Sequence, residues 1–273
     1  VFSTALLLPF IRQLVWLVEH LIPGDAGQPE VSVLDERFLA TPSLALEKAH
    51  DAVVQMGCLA QENYRLAVEL LSRFDAKKLE RLNETEAALD KLENNLDNYL
   101  VRLSDHSLSA EDSAKVSELL HTLSDFERIG DYAVNLSESA HVLHERNMVL
   151  SGPAMSELSA LCGAVDAAID QTLECYTNRS PELAQEVEPL EEVVDLMRDE
   201  LRSRHIERLK AGKCTVELGA QYLEMLVNLE RIADHCANIA LYILRETSPA
   251  DSLLRTNLHA YTHALHHGAD QQF

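Results

Sequence analysis

The pattern Glu-Arg-Ile-x-Asp-x-x-x-Asn occurs twice, as "ERIGDYAVN" at Glu127 to Asn135 and as "ERIADHCAN" at Glu230 to Asn238, 103 residues apart. Five matching positions in nine are improbable by chance, and self-similarity at a long fixed offset is the mark of a duplicated structural unit. A weaker echo agrees: "EAALD" at Glu86 to Asp90 returns as "EEVVD" at Glu191 to Asp195, 105 residues on. One loop altered by two residues accounts for the difference. Any fold for this chain must therefore be built twice.

The unit reads as helical. Thr41-Pro42 looks like an N-cap with proline at the first helical position, and apolar residues at 3–4 spacing predict a helix from there to Phe74. A second helix is predicted over 78–103, and Ser109 to Asp112 ("SAED") opens a third that runs to Glu145. Gly152-Pro153 punctuates the chain, after which helices are predicted over 153–177, 181–210 and 216–246. Pro189 should kink the fifth or mark its proper start. A 5% aromatic content, nine glycines and eight prolines also favour helices over a sheet sandwich. The expected fold class is all-α: two tandem three-helix bundles, 41–150 and 151–247, each able to fold alone, joined by a surface connection near Ser151-Gly152.

The flanks differ from this pattern. Residues 1–23 ("VFSTALLLPFIRQLVWLVEHLIP") are apolar but interrupted by Pro9 and Arg12, short of the roughly 20 residues of an uninterrupted membrane span. They read either as the end of a transmembrane helix followed by an interfacial stretch or as a buried N-terminal helix. Residues 24–40 form a polar linker, and 248–273 a tail whose His259, His263, His266 and His267 have spacings that can chelate a metal but more ordinarily decorate a solvated tail. The five cysteines are widely scattered, which suggests neither a zinc knuckle nor a disulfide scaffold and favours a reducing compartment. Net charge is −22, with 45 acids to 23 bases, so nucleic acid is excluded as a natural partner and cations are favoured.

The acids have a geometry. A four-residue spacing places Glu and Asp one turn apart on one helical face. Each unit carries two such pairs: Glu86/Asp90 with Glu127/Asp131, and Glu191/Asp195 with Glu230/Asp234. Two neighbouring helices could aim four carboxylates at one spot, an arrangement that needs a compensating cation. Hard oxygens suit Fe, Mn, Mg or Ca, and a nearby histidine such as His235 would widen the choice to Zn. Asn135 and Asn238 extend the same faces by another turn and are further candidate ligands. Acids four apart are ordinarily solvated decoration in so acidic a chain. Against that, the strongest repeated positions are polar, whereas packing alone would repeat the apolar ones first. No Gly-rich phosphate cradle or Ser-His-Asp spacing is present, and Cys236 beside His235 reads as a small core residue rather than a catalytic thiol.

"FERIGDYAVN", "LERIADHCANIA", "EAALD" and "EEVVD" resemble the PhoU family over about residues 42–246. The resemblance implies two tandem three-helix bundles carrying multinuclear metal clusters, and a part in phosphate homeostasis without enzymatic activity. "EAALD" is less acidic than is usual in the family. "TALLLPF", "LVEHLIP" and "LDERFLATPSLALEKA" further resemble the junction of sodium/phosphate cotransporter family proteins, where a membrane transport domain gives way to a cytosolic PhoU-like domain. That resemblance implies a regulatory module on the cytoplasmic side of the cell membrane. Its partner would be a transport domain of the same polypeptide, with inorganic phosphate as a ligand and homo-oligomers as a further association. Two rivals stand beside it: a soluble PhoU-type accessory regulator of an ABC phosphate importer, and a carboxylate-bridged metalloenzyme of the helical-bundle type. The latter would place Glu-x-x-His pairs in a bundle core, and none stands at these motifs.

Overall fold

A computed structural model describes residues 34–247, with nothing of the side chains of 246 and 247. The apolar stretch 1–23, most of the linker and the His-containing tail lie outside the described residues. Six long helices and no strand are found among the latter: α1 (Pro42–Ser72), α2 (Ala76–Ser104), α3 (Ala110–Glu145), α4 (Gly152–Asn178), α5 (Val187–Lys210) and α6 (Val216–Thr247). A 3-10 turn (Glu36–Ala40) precedes α1, and a one-turn helix (Pro181–Ala184) precedes α5. None of the described helices is long and apolar enough to cross a membrane.

The helix starts follow the side chains at their caps. Asp75 accepts from the Lys77 N–H, Ser109 from Asp112, Ser151 from Ala154 and Ser180 from Leu183, each satisfying a donor that the first turn leaves unpaired. Thr41 occupies the predicted N-cap position of α1 without a side-chain capping bond, so Pro42 with its fixed φ sets that start. The predicted fifth helix is split: Pro181–Ala184 ends after one turn and α5 begins at Val187. Pro189 thereby falls in the first turn of α5, where the N–H it lacks would have had no intrahelical acceptor.

The first bundle is α1, α2 and α3 and the second α4, α5 and α6, as the repeat requires. They are not separated by solvent: α3 packs extensively on α6 and α1 on α4, within one compact unit. At this junction the buried Phe126 ring meets Tyr176 edge-on with centroids 5.7 Å apart, and His50 stacks on the same tyrosine at 4.8 Å. Tyr64, 1% exposed, donates its hydroxyl across the junction to the Cys162 carbonyl at 2.6 Å. Gly57 permits this approach, since a Cβ there would stand 2.6 Å from Leu173 Cδ2 and 2.8 Å from the Phe126 ring. The connection through Asn147, Val149 and Ser151 is exposed, as expected, while the helices on either side of it share a core.

Candidate functional site

In each bundle the second and third helices stand side by side, and their repeated acids face one another. The residue between Ile and Asp of the repeat is small in both copies, Gly130 and Ala233, and both are buried. At Gly130 the reason is visible: a Cβ would lie 3.0 Å from Leu89 and 3.2 Å from Glu86 Oε2. Helix α2 thus approaches α3 closely enough to bring Glu86 against the Glu127/Asp131 turn.

The second bundle has the tighter cluster. One carboxylate oxygen from each of Glu191, Asp195 and Asp234 falls within a group no wider than 4.8 Å, and among the described residues no other triple of potential metal ligands does so. Glu191 is 3% exposed. Its burial, followed by the charges of Asp195, Asp234, Glu188 and Glu230, pushes its carboxyl up to about 8. Glu230 is also raised, by burial and then by Asp234, against the pull of two guanidinium groups. Arg198 supplies one, 3.2 Å from Asp195 Oδ1 and 3.8 Å from Glu230 Oε1. Arg231 of the repeat supplies the other, 3.0 Å from Asp234 and 3.6 Å from Glu230.

In the first bundle Glu86 is raised to about 7 by burial and then by Asp90, Asp131 and Glu127. Glu127 is likewise raised to about 7, by burial and then by Asp131. Asp90, exposed at the rim of this face, is raised by partial desolvation of its carboxyl and then by Asp131. The repeat arginine behaves as in the second copy, with Arg128 3.2 Å from Asp131 and 3.5 Å from Glu127. Two participants have no place in the repeated motifs. Asn63 of α1, fully buried, donates its Nδ2 to Glu86 Oε2 at 2.6 Å, and its Oδ1 has no hydrogen-bond partner. Glu93 of α2, one turn beyond Asp90, is raised by burial and then by Asp90, Asp97 and Asp131.

In the second copy the asparagine and the histidine make their hydrogen bonds away from the acidic cluster. Asn238 turns from the carboxylates to the other bundle, its amide donating to Asp125 Oδ1 of α3 at 3.3 Å. His235 does the same, with Nδ1 2.7 Å from Asp125 Oδ1 and its ring stacked on Tyr132. For His235 helical rotation is the reason: one residue past Asp234 is about 100° around the helix, on the side that packs against α3. Asn135 is half-buried on α3, four residues beyond Asp131.

Fold and site together define a class: a tandem pair of three-helix bundles, each with an acidic cluster between its second and third helices. The PhoU domain model matches residues 53–140 and 158–243, more than half of the chain, and the chain belongs to the PhoU family. It is 29% identical over 197 residues to the phosphate-specific transport system accessory protein PhoU homolog of Synechocystis sp., covering 72% of this chain and 86% of that one. A protein of the same description from Xylella fastidiosa is 28% identical over 192 residues, covering 70% and 80%. The crystal structure of PhoU from Pseudomonas aeruginosa superposes with a TM-score of 0.69 at 23% identity, covering 74% of this chain and 96% of that one. That of the phosphate transport system regulatory protein PhoU from Streptococcus pneumoniae gives 0.69 at 20%, covering 77% and 98%. The last two similarities speak to the fold.

Proposed function

We propose that this chain is a metal-binding, non-enzymatic regulator of phosphate transport, and that its two acidic clusters are the metal sites. The observation that carries this is the convergence of Glu191, Asp195 and Asp234 around a carboxyl pushed up to about 8 by burial and by its acidic neighbours. Such a site is costly without a cation and is relieved by one. The donor set fits: carboxylate oxygens throughout, and at the first site a leftover buried amide oxygen on Asn63. Glu86, Asp90, Glu127 and Asp131 would hold the ions of one site, and Glu191, Asp195, Glu230 and Asp234 those of the other. Fe, Mn, Zn, Mg and Ca are the candidate metals. A bound hard cation neutralises the carboxylates and can offer open positions to an anion such as phosphate.

The names of the relatives favour an accessory regulator of a phosphate-specific (ABC-type) import system over the sodium-coupled reading of the sequence. The second reading, a cytosolic module attached to a sodium/phosphate cotransporter at the membrane, is favoured by the apolar residues 1–23, which an accessory protein leaves unexplained. One experiment separates them. Phosphate uptake is measured in cells lacking the gene, and in cells restored with the wild type or with Glu191→Gln/Asp234→Asn. A change in ATP-driven uptake supports the accessory reading, and a change in uptake driven by the sodium gradient supports the cotransporter. If neither moves, the chain does not regulate phosphate transport.

A further inference from the structure

We infer that the two sites are built for different amounts of cationic charge: Glu93 is an additional ligand of the first, whereas Arg198, its counterpart 105 residues on, is an internal counter-ion of the second. The inference rests on the metal-binding reading above. Glu93 and Arg198 occupy the same place in the two copies, three residues beyond Asp90 and Asp195, so each lies one turn along the cluster-bearing face of its helix. Each acts on the equivalent partner. Glu93 acts electrostatically on Glu127, and Arg198 stands 3.8 Å from Glu230, the residue 103 positions after Glu127. Both side chains are half-buried, where charge is poorly screened.

The same spot is thus negative in one bundle and positive in the other. The first cluster holds Glu86, Asp90, Glu93, Asp97, Glu127 and Asp131 against Arg128, with the Asn63 amide below Glu86. The second holds Glu188, Glu191, Asp195, Asp199, Glu230 and Asp234 against Arg198 and Arg231, with Asp199 3.3 Å from Arg198, and is one unit less negative. Convergence favours the second site, since among the described residues the first has no triple within 4.8 Å. Against that, exchanging Glu for Arg alters the charge at this place by two units, and no rotation of a side chain recovers it. Charge therefore decides: the first site binds divalent cations more tightly.

The test uses the full chain stripped of metal and titrated with Mn²⁺, followed by calorimetry and by the electron paramagnetic resonance of the free ion. Glu230→Gln/Asp234→Asn leaves the first site alone, and Glu127→Gln/Asp131→Asn the second. The first site is expected to bind at least tenfold more tightly. Arg198→Gln should raise second-site affinity about tenfold, and Glu93→Gln should lower first-site affinity about tenfold. Arg198→Lys, which keeps the charge, should leave the second site weak, so that altered packing is separated from altered charge. Circular dichroism of each metal-free variant controls for folding. Equal affinities at the two sites, or an unchanged gap in both Arg198→Gln and Glu93→Gln, overturn this inference alone. No Mn²⁺ binding by the wild type overturns the metal-binding reading and the inference with it.

Discussion

Glu191 is where the cost of the second site is concentrated, because its carboxyl is buried among four other acids on α5 and α6. Its folded pKa of about 8 lies above the ordinary 4.5, so between those values the native state holds a proton that the unfolded chain has released. Stability of the metal-free protein is then fully supported by this group below about pH 4.5 and declines as pH rises toward about 8. Urea unfolding at pH 5.5 and 8.5 should show a fall for the chelated wild type and a smaller one for Glu191→Gln. Added metal should abolish the difference. At the same scale, Glu230→Gln/Asp234→Asn is expected to reduce metal content by elemental analysis without abolishing it, and to leave the metal-free protein at least as stable. That the eight repeated acids would stand on adjoining helices was legible because repetition singled them out. Glu93 and Arg198 carried the same signal in a subtler form, an equal spacing with an inverted charge, which a search for identical residues passes over. Asn63 had none: it meets Glu86 only because α1 packs beneath α2, a tertiary fact.

Among the helices, two close approaches set the geometry and both depend on glycine. Gly57→Ala should destabilise by about 1–3 kcal/mol in urea midpoints despite the better helix propensity of alanine, because the Phe126 ring cannot move far in a packed core. Gly130→Leu should act locally instead, driving α2 and Glu86 away from α3. Mn²⁺ binding by the first site should weaken while the second is unaffected. Helix boundaries were largely readable from caps and breakers, with Ser109, Asp112 and Pro42 each at its expected place. The split before α5 was half-readable: Pro189 announced a late start, while the one-turn helix depends on Ser180 capping Leu183.

At the level of the whole molecule, the repeat gave the count of bundles but not their interface. Periodicity reports which face of a helix is apolar and not which neighbour covers it. The Tyr64, Phe126 and Tyr176 contacts cover what two free-standing bundles would expose. Residues 151–247 expressed alone are accordingly expected to be helical but loosely packed, with weak near-ultraviolet dichroism and strong dye binding, and to order when 34–150 is supplied in trans. A cooperative unfolding transition for 151–247 alone would show that the shared interface is dispensable.

The Asp125 to His235 contact has an evolutionary meaning. Asp125 corresponds to Asn228 in the other copy, His235 to Tyr132, and Tyr176 to Leu71 at the 105-residue offset. The two halves therefore meet through side chains that are not interchangeable. A chain made of the first half twice would put a tyrosine in place of His235, and the contact of its imidazole with Asp125 at 2.7 Å would be lost. Whatever symmetric ancestor the duplication began from, its halves have become a left and a right, and further change must now keep them as a matched pair.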